Sequence, residues 1–167
     1  GSGEITATIG DNTTTALTGL TGTHAYTITV KQIAADATDL NAIDLATTIT
    51  VDATQVATIT GSTADLINAT NDQQTLDTAA NVILVITSVN TQAADINTLN
   101  AVTTGLVDAT ATTDISGSAA DLAALVLAIK AGEVSVSANF SVTISDAATV
   151  NLVNSIDAIN EIGRAHV

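Results

Sequence analysis

The side chains that could do chemistry in this sequence are aspartates and serines that recur at one fixed offset. Asp52 and Asp108 lie 56 residues apart, each in a Val-Asp-Ala-Thr stretch that is typical of the end of a strand. Carboxylates stacked on successive units of a repeat can bind Ca²⁺, a hard ion that requires several oxygen ligands. The sequence contains neither an EF-hand loop nor the Gly-Gly-x-Gly-x-Asp nonapeptide of calcium-binding β-rolls. Asp52 and Asp108 are therefore candidate calcium ligands, and Ca²⁺ is the only cofactor that the sequence suggests.

A second recurring pattern places an aspartate three residues after a serine, in Ser62–Asp65 and in Ser118–Asp121. A row of such side chains could line a cation site. The same spacing is typical of a helix N-terminus, where the serine accepts a backbone N–H and the carboxylate lies at the positive end of the helix. Asp39 and Asp95 precede apolar helical positions in the same way. We therefore expect these residues to cap helices.

Threonine pairs of the form Thr-x-Thr offer a third interpretation. They occur at Thr27/Thr29, Thr48/Thr50 and Thr58/Thr60. A flat threonine row is typical of an ice-binding repeat protein, but the pattern is not kept in every unit. Threonine on a strand surface, where a β-branched side chain is favoured, is the simpler interpretation.

No set of residues predicts an enzyme. His24 is the only histidine outside the last few residues, and the sequence has no cysteine and no Gly-x-Ser-x-Gly motif. A nucleophile, its base and a residue that orients the base cannot be assigned. We therefore expect a protein without catalytic activity, in which His24 is a surface or turn residue.

The charge balance bears on the class of partner. The net charge is −14, and the basic residues are Lys31, Lys130 and Arg164. Binding to nucleic acid or to an anionic membrane surface requires a basic face, so neither partner is expected. No apolar run approaches the length of a transmembrane helix, so membrane insertion is not expected either. An acidic, threonine-rich chain favours a self-repelling surface or a protein that meets cations.

These side chains must be positioned by a repeated set of elements. The segment Val51–Leu66, VDATQVATITGSTADL, recurs 56 residues later as Val107–Leu122, VDATATTDISGSAADL. The first buried position of each predicted helix follows a related spacing of 26 to 31 residues, at Leu40, Leu66, Ile96, Leu122 and Val153. A fixed period of this length is typical of a solenoid. Each unit of about 28 residues reads as strand, turn, strand and helix.

Alternating and helical apolar patterns predict the individual elements. Strands are expected within residues 5–10, 25–30, 49–51, 57–60, 81–87, 106–109, 113–116, 133–137 and 140–145. Helices are expected within residues 34–47, 64–70, 94–100, 119–130 and 149–159, with a short helix or turn at 12–20. In the last helix we expect one apolar stripe formed by Val150, Val153, Ile156 and Ile159.

The predicted fold class is α/β, a curved or twisted solenoid of about five to six stacked coils with parallel strands. Parallel strands lie about 4.8 Å apart, whereas packed helices need roughly 8 to 10 Å. A stack that contains both is expected to curve, with its helices outside. We expect a single repeat domain over residues 4–162. Gly1-Ser2-Gly3 and residues 163–167 are interpreted as cloning remnants.

Two stretches carry a resemblance to a known kind of protein: Ala37–Thr47, ATDLNAIDLAT, and Val142–Val150, VTISDAATV, with Ile156-Asp157-Ala158. They resemble α/β solenoid-type repeats of very large secreted or cell-surface bacterial proteins, common in cyanobacteria and often joined to hemolysin-type (RTX) calcium-binding regions. The resemblance implies an extracellular or cell-surface location and a structural or adhesive role. Since the RTX nonapeptide is missing, calcium-driven folding is not implied.

The sequence thus predicts a non-catalytic structural or scaffold segment of a large extracellular or cell-surface bacterial protein. Its partners would be neighbouring repeats of the same chain and a cell-surface or matrix component. The alternative is a module that binds Ca²⁺ or a glycan on the strand face of the solenoid. Glycan sites usually rely on aromatic side chains, and the chain has only Tyr26 and Phe140.

Overall fold

A computed structural model describes residues 3–71 and 75–164. Within them the chain forms six helices, five of them with at least nine residues, and short strands of three or four residues. The strands are β1 (Thr6–Thr8), β2 (Ala25–Thr27), β3 (Ala34–Asp36), β4 (Val51–Ala53), β5 (Thr58–Gly61), β6 (Leu76–Thr78), β7 (Ile83–Ile86), β8 (Asn90–Gln92), β9 (Val107–Ala109), β10 (Asp114–Gly117), β11 (Val134–Val136) and β12 (Ser141–Ile144). The helices are α1 (Thr14–Leu17), α2 (Ala37–Leu45), α3 (Thr63–Asn71), α4 (Ala93–Val102), α5 (Ala119–Ala131) and α6 (Val150–Arg164).

The strands associate across long sequence distances into four sheets. One sheet has five strands in the order β11-β9-β7-β5-β3, a second has three in the order β12-β10-β8, and β1-β2 and β4-β6 form pairs. Every strand pairing within the described residues is parallel. The predicted mixed α/β class with parallel strands is therefore confirmed.

The helices follow one another in space as they do in sequence. Each of α1 to α5 contacts the next helix along the chain. The core between helices and strands consists mainly of Ala, Val, Ile and Leu side chains, as the composition predicts. The expected buried positions Leu40, Leu66, Ile96 and Leu122 are at most 2% exposed.

Strand β7 belongs to two ladders at once. Its residue Ile83 pairs with Thr58 of β5, and its residue Leu84 pairs with Val107 of β9. The segment between α3 and α4 therefore carries three strands, β6, β7 and β8, where the sequence predicts two. Through β7, the ladder formed by the second strands of the earlier units continues as the ladder formed by the first strands of the later units.

The curvature that we expected is not found, since the sheets are not curled. The expectation assumed that one continuous sheet must bend to match the spacing of the helices. The strands instead divide among several sheets. Strands of three or four residues accumulate little twist, and twist along strands is what coils a larger sheet.

Three strands were not expected from the sequence. Residues 34–36, predicted as the start of a helix, form β3, and β6 and β8 lie where no strand is predicted. Their sequences, AAD, LDT and NTQ, contain few residues that favour strands. Each forms through pairing with a distant strand, so tertiary context overrides local propensity. Gly1, Ser2 and residues 165–167, interpreted as parts of remnants, lie outside the described residues.

The predicted stripe on α6 is wrong in its first half. Val150 and Val153 are 75% and 48% exposed, whereas Leu152 and Ile156 are buried. Positions three apart on a helix fall roughly 60° behind at each step, so a strict three-residue spacing leaves the buried face. Val153 also lies on the last helix of the stack, where α5 is the one neighbouring helix in the described part of the chain.

Two buried threonines fasten each unit to the preceding one at equivalent positions. The Thr47 hydroxyl donates to the Tyr26 carbonyl oxygen at 2.7 Å and accepts the Ile49 N–H at 3.0 Å. In the second repeat, the Thr103 hydroxyl donates to the Val82 carbonyl oxygen at 2.6 Å and accepts the Gly105 N–H at 2.9 Å. The sequence repeat is thus also a repeat of hydrogen bonds.

Replacing Thr103 with valine should lower the free energy of unfolding by about 1 to 3 kcal/mol, because a buried carbonyl and a buried N–H lose their partner while the shape is kept. Urea denaturation measures the change. As a control, Thr98→Val removes a hydroxyl that bonds only the Ala94 carbonyl of the same helix at an exposed position, and should cost less than about 0.5 kcal/mol. Equal effects at the two sites would contradict this role for Thr103.

Candidate functional site

The candidate calcium ligands Asp52 and Asp108 occupy equivalent turns at the ends of β4 and β9. Asp52 Oδ1 accepts the Thr54 backbone N–H at 3.1 Å and the Thr54 hydroxyl at 2.7 Å. Asp108 Oδ1 accepts the same two groups of Thr110 at 3.0 and 2.6 Å. Each carboxylate thereby fixes the turn that follows its strand, a common use of aspartate in turns.

The structure does not bring Asp52 and Asp108 together, because β4 and β9 belong to different sheets. In its own ladder Asp52 pairs with Asp77 of β6, whereas Asp108 pairs with Val85 and Ser135. The neighbouring carboxylate of Asp77 was missed because β6 itself was not predicted. The described residues contain no group of three or more His, Cys, Asp or Glu side chains that could hold a metal ion.

The serine–aspartate pairs cap helices, as predicted. Ser118 Oγ accepts the Asp121 N–H at 3.1 Å and donates to Asp121 Oδ2 at 2.6 Å. Ser62 and Asp65 make the same two bonds at 3.2 and 2.5 Å. Asp39 and Asp95 lie in the first turns of α2 and α4. These carboxylates therefore stabilise helix N-termini.

The threonine pairs do not form a continuous row. In the five-stranded sheet, the neighbours of Thr60 are Asp36 on one side and Val85 on the other. Thr58 lies between Ala34 and Ile83. The strand-surface interpretation accounts for these threonines, since different side chains alternate with them along the ladder.

A polar cavity lies at the carboxyl ends of β5, β8 and β10, beside the first turns of α3 and α4. Its volume is about 290 Å³, and its lining consists mostly of hydroxyl and amide side chains: Ser62, Thr63, Ala64, Ser88, Asn90, Thr91, Gln92, Asp95 and Ser116. Ligands of parallel α/β proteins commonly bind at this end of the strands. Sequence reasoning missed the cavity because Ser88, Asn90 and Gln92 carry no motif.

The inner wall of this cavity is already hydrogen-bonded. The Thr63 N–H, which begins α3, donates to Ser88 Oγ at 3.1 Å. The Thr91 hydroxyl lies 3.4 Å from the Thr63 hydroxyl and 3.4 Å from that of Thr112. Asp95 supplies the one carboxylate of the lining. The cavity can offer hydrogen bonds to a small polar molecule, and its lining includes no histidine that could act as a base.

His24 takes part in the packing of the first strands. Its Nδ1 accepts the Ile5 N–H at 3.3 Å, and its ring meets that of Tyr26 edge-on with centroids 5.4 Å apart. Tyr26 and Phe140, the two aromatic side chains of Tyr, Phe or Trp type in the sequence, are each 7% exposed. Neither ring presents the open face on which a sugar stacks.

No helix in the part of the chain that the structure describes combines the length and apolarity needed to cross a bilayer. Comparison with models of protein families, with curated proteins and with solved structures finds no match to this chain.

Proposed function

We propose that the chain is a structural, non-catalytic repeat segment of a large extracellular or cell-surface bacterial protein. In this proposal its strand–strand–helix units stack as coils of an α/β solenoid, and the stack acts as a spacer or scaffold, with adhesion as a secondary role. The partners are neighbouring repeats of the same chain and a cell-surface or matrix component.

The observation that carries the proposal is the shared strand β7. Because β7 pairs with β5 on one side and with β9 on the other, the first and second copies of the sequence repeat join into one ladder without a break. An architecture in which each unit contacts its neighbours is typical of repeat proteins that serve as scaffolds.

Repeated contacts between units give independent support. Asn41 Nδ2 donates to the Asp65 carbonyl oxygen at 3.1 Å, and Asn97 Nδ2 donates to the Asp121 carbonyl oxygen at 2.9 Å. These contacts join α2 to α3 and α4 to α5. Helices that are tied to their neighbours at the same positions would keep the ends of a stack at a fixed distance. The acidic surface and the resemblance to repeats of secreted bacterial proteins favour the extracellular setting.

A spacer must hold its ends rigidly apart, which spin labels can test. The natural sequence has no cysteine, so Gly10→Cys and Asn154→Cys place two labels at exposed positions near the two ends. Pulsed electron paramagnetic resonance should give one narrow distance distribution that does not change with ionic strength. A broad or salt-dependent distribution would contradict a rigid spacer.

Binding of Ca²⁺ is the alternative function, and the pairing of Asp52 with Asp77 is the observation that favours it. Two adjacent carboxylates with a net charge of −14 around them attract divalent cations. Two carboxylates supply fewer oxygens than the six to eight that Ca²⁺ prefers.

Calorimetric titration with Ca²⁺ tests this alternative. The structural proposal predicts no saturable heat and no increase in melting temperature beyond that given by Mg²⁺ at the same ionic strength. Saturable binding that is specific for Ca²⁺ and lost in Asp77→Asn would instead support the alternative. Asp114→Asn, which removes an exposed carboxylate from a different sheet, is the control.

A further inference from the structure

Core positions that are buried inside the stack are exposed at its carboxyl-terminal end. Leu66 and Leu122 lie four residues after the serines that cap α3 and α5, and they are 0% and 2% exposed. Val153 lies four residues after Thr149, whose hydroxyl caps α6 by accepting the Leu152 N–H, yet Val153 is 48% exposed. The position is apolar in all three helices and lacks a cover in the last one.

The strand that precedes α6 shows the same loss of cover. Ile59 of β5 and Ile115 of β10 are at most 1% exposed, whereas Val142, which pairs with Ile115, is only half-buried. Strand β12 is the outermost strand of its sheet. Ser141 and Ser145 donate their N–H groups inward to β10, at 2.7 and 2.9 Å. Since backbone groups alternate along a parallel strand, the N–H groups of Val142 and Ile144 point outward.

The opposite end of the stack carries a complementary edge. Strand β1 pairs only with β2 among the described strands. Its Ile9 N–H donates inward to the Thr27 carbonyl oxygen at 3.0 Å, so the backbone groups of Thr6 and Thr8 point outward. Because every described pairing is parallel, a further strand at either end would continue the ladder in the same direction.

We propose that two copies of this chain associate head to tail, with β1 of one copy added to the β12 edge of the other. The contact would continue the interface that already joins neighbouring units, and it would cover Val153. The proposal rests on the stacked architecture of the proposed function. Since the two edges differ, each dimer keeps one free edge of each kind, so the assembly grows into filaments instead of closing.

Charge opposes this association. Each copy carries −14, and Asp157 on α6 lies eight residues after its cap, where α5 has the buried Val126. Association should therefore be weak at low ionic strength and strengthen as salt screens the repulsion. Asp157 is also the side chain whose removal should favour docking most.

Light scattering coupled to gel filtration, over a range of protein and salt concentrations, tests the proposal. The wild-type mass should rise with both variables. Val153→Lys should weaken the association constant by about tenfold or more, because it buries a charge, and Asp157→Val should strengthen it by about tenfold. The control Leu127→Lys makes the same charge change on the outer side of α5, where Leu127 is 69% exposed, and should change the constant less than about twofold.

Disulfide trapping identifies the surfaces that meet. Thr8→Cys and Thr143→Cys variants, mixed in equal amounts, should form mainly the mixed disulfide, since the natural chain has no cysteine. Preferential Thr143–Thr143 or Thr8–Thr8 linkage, or a mass that stays monomeric at high salt, would overturn the proposal. A monomer with a narrow spin-label distance would overturn head-to-tail docking alone, whereas a broad distance would overturn the spacer function as well.

Discussion

Replacing Leu66 with alanine should lower the free energy of unfolding by about 2 to 5 kcal/mol, and Leu122→Ala should have a similar effect. Both side chains lie at the first buried position of their helices, at most 2% exposed, within one continuous core. Truncation removes apolar contacts and leaves a cavity that a stack of small side chains has little material to fill. Urea denaturation of the two variants, analysed for midpoint and slope, measures the loss.

Leu45→Ala is the matched control for this pair. Leu45 ends α2 and is 75% exposed, so the same substitution removes little buried surface and should cost less than about 1 kcal/mol. If Leu66→Ala costs no more than Leu45→Ala, the buried position that anchors each unit is wrongly assigned. A large difference between Leu66→Ala and Leu122→Ala would show that the two repeats are not equivalent in energy.

Replacing Gly105 with alanine should destabilise the protein by about 3 kcal/mol, the upper part of the usual range for an overpacked position. A Cβ atom at Gly105 would lie 2.5 Å from the Asn81 carbonyl oxygen and closer still to that of Val82. These are backbone atoms of the neighbouring unit, so the chain must move to make room. The movement would also disturb the bond from the Gly105 N–H to the Thr103 hydroxyl.

Gly10→Ala tests whether this cost comes from the close approach or from losing a glycine. A Cβ at Gly10 meets nothing within 4 Å, so its replacement should be nearly neutral or slightly stabilising. Thermal and urea unfolding of the two variants should separate clearly. A Gly105→Ala protein as stable as Gly10→Ala would mean that units do not approach as closely at this turn as the structure has them.

The helices could be predicted because their patterns are local. Apolar residues at helical spacing, a serine cap and the terminal glycine of α5 locate Ala119–Ala131 without knowledge of any distant contact. The strands β3, β6 and β8 could not be predicted in this way, since each contains few strand-favouring residues and forms through pairing with another unit. The dual role of β7 has the same origin.

The candidate site shows the same division between local and distant information. The turn geometry of Asp52 and Asp108 follows from the repeated Val-Asp-Ala-Thr sequence, which places a threonine two residues after each carboxylate. Their neighbours across the ladder differ, because β4 and β9 occupy different sheets. The polar cavity combines residues from three segments, and no spacing within one segment predicts it.

The most direct test of stacking is to lengthen the stack in phase with its repeat. Duplicating Val51–Leu106 in place adds one 56-residue repeat, after which Leu106 is followed by Val51 as it is by Val107 in the natural chain. A control that duplicates only 51–92 adds strands without the α4 helix that follows β8.

If units stabilise one another as coils of a stack, the in-phase variant unfolds in one cooperative transition at a higher urea midpoint. Its slope should be about one third larger, in proportion to its added surface, and the out-of-phase control should unfold at a lower midpoint. An in-phase variant that unfolds at lower urea than the natural chain, or no better than the control, would contradict the stacked architecture.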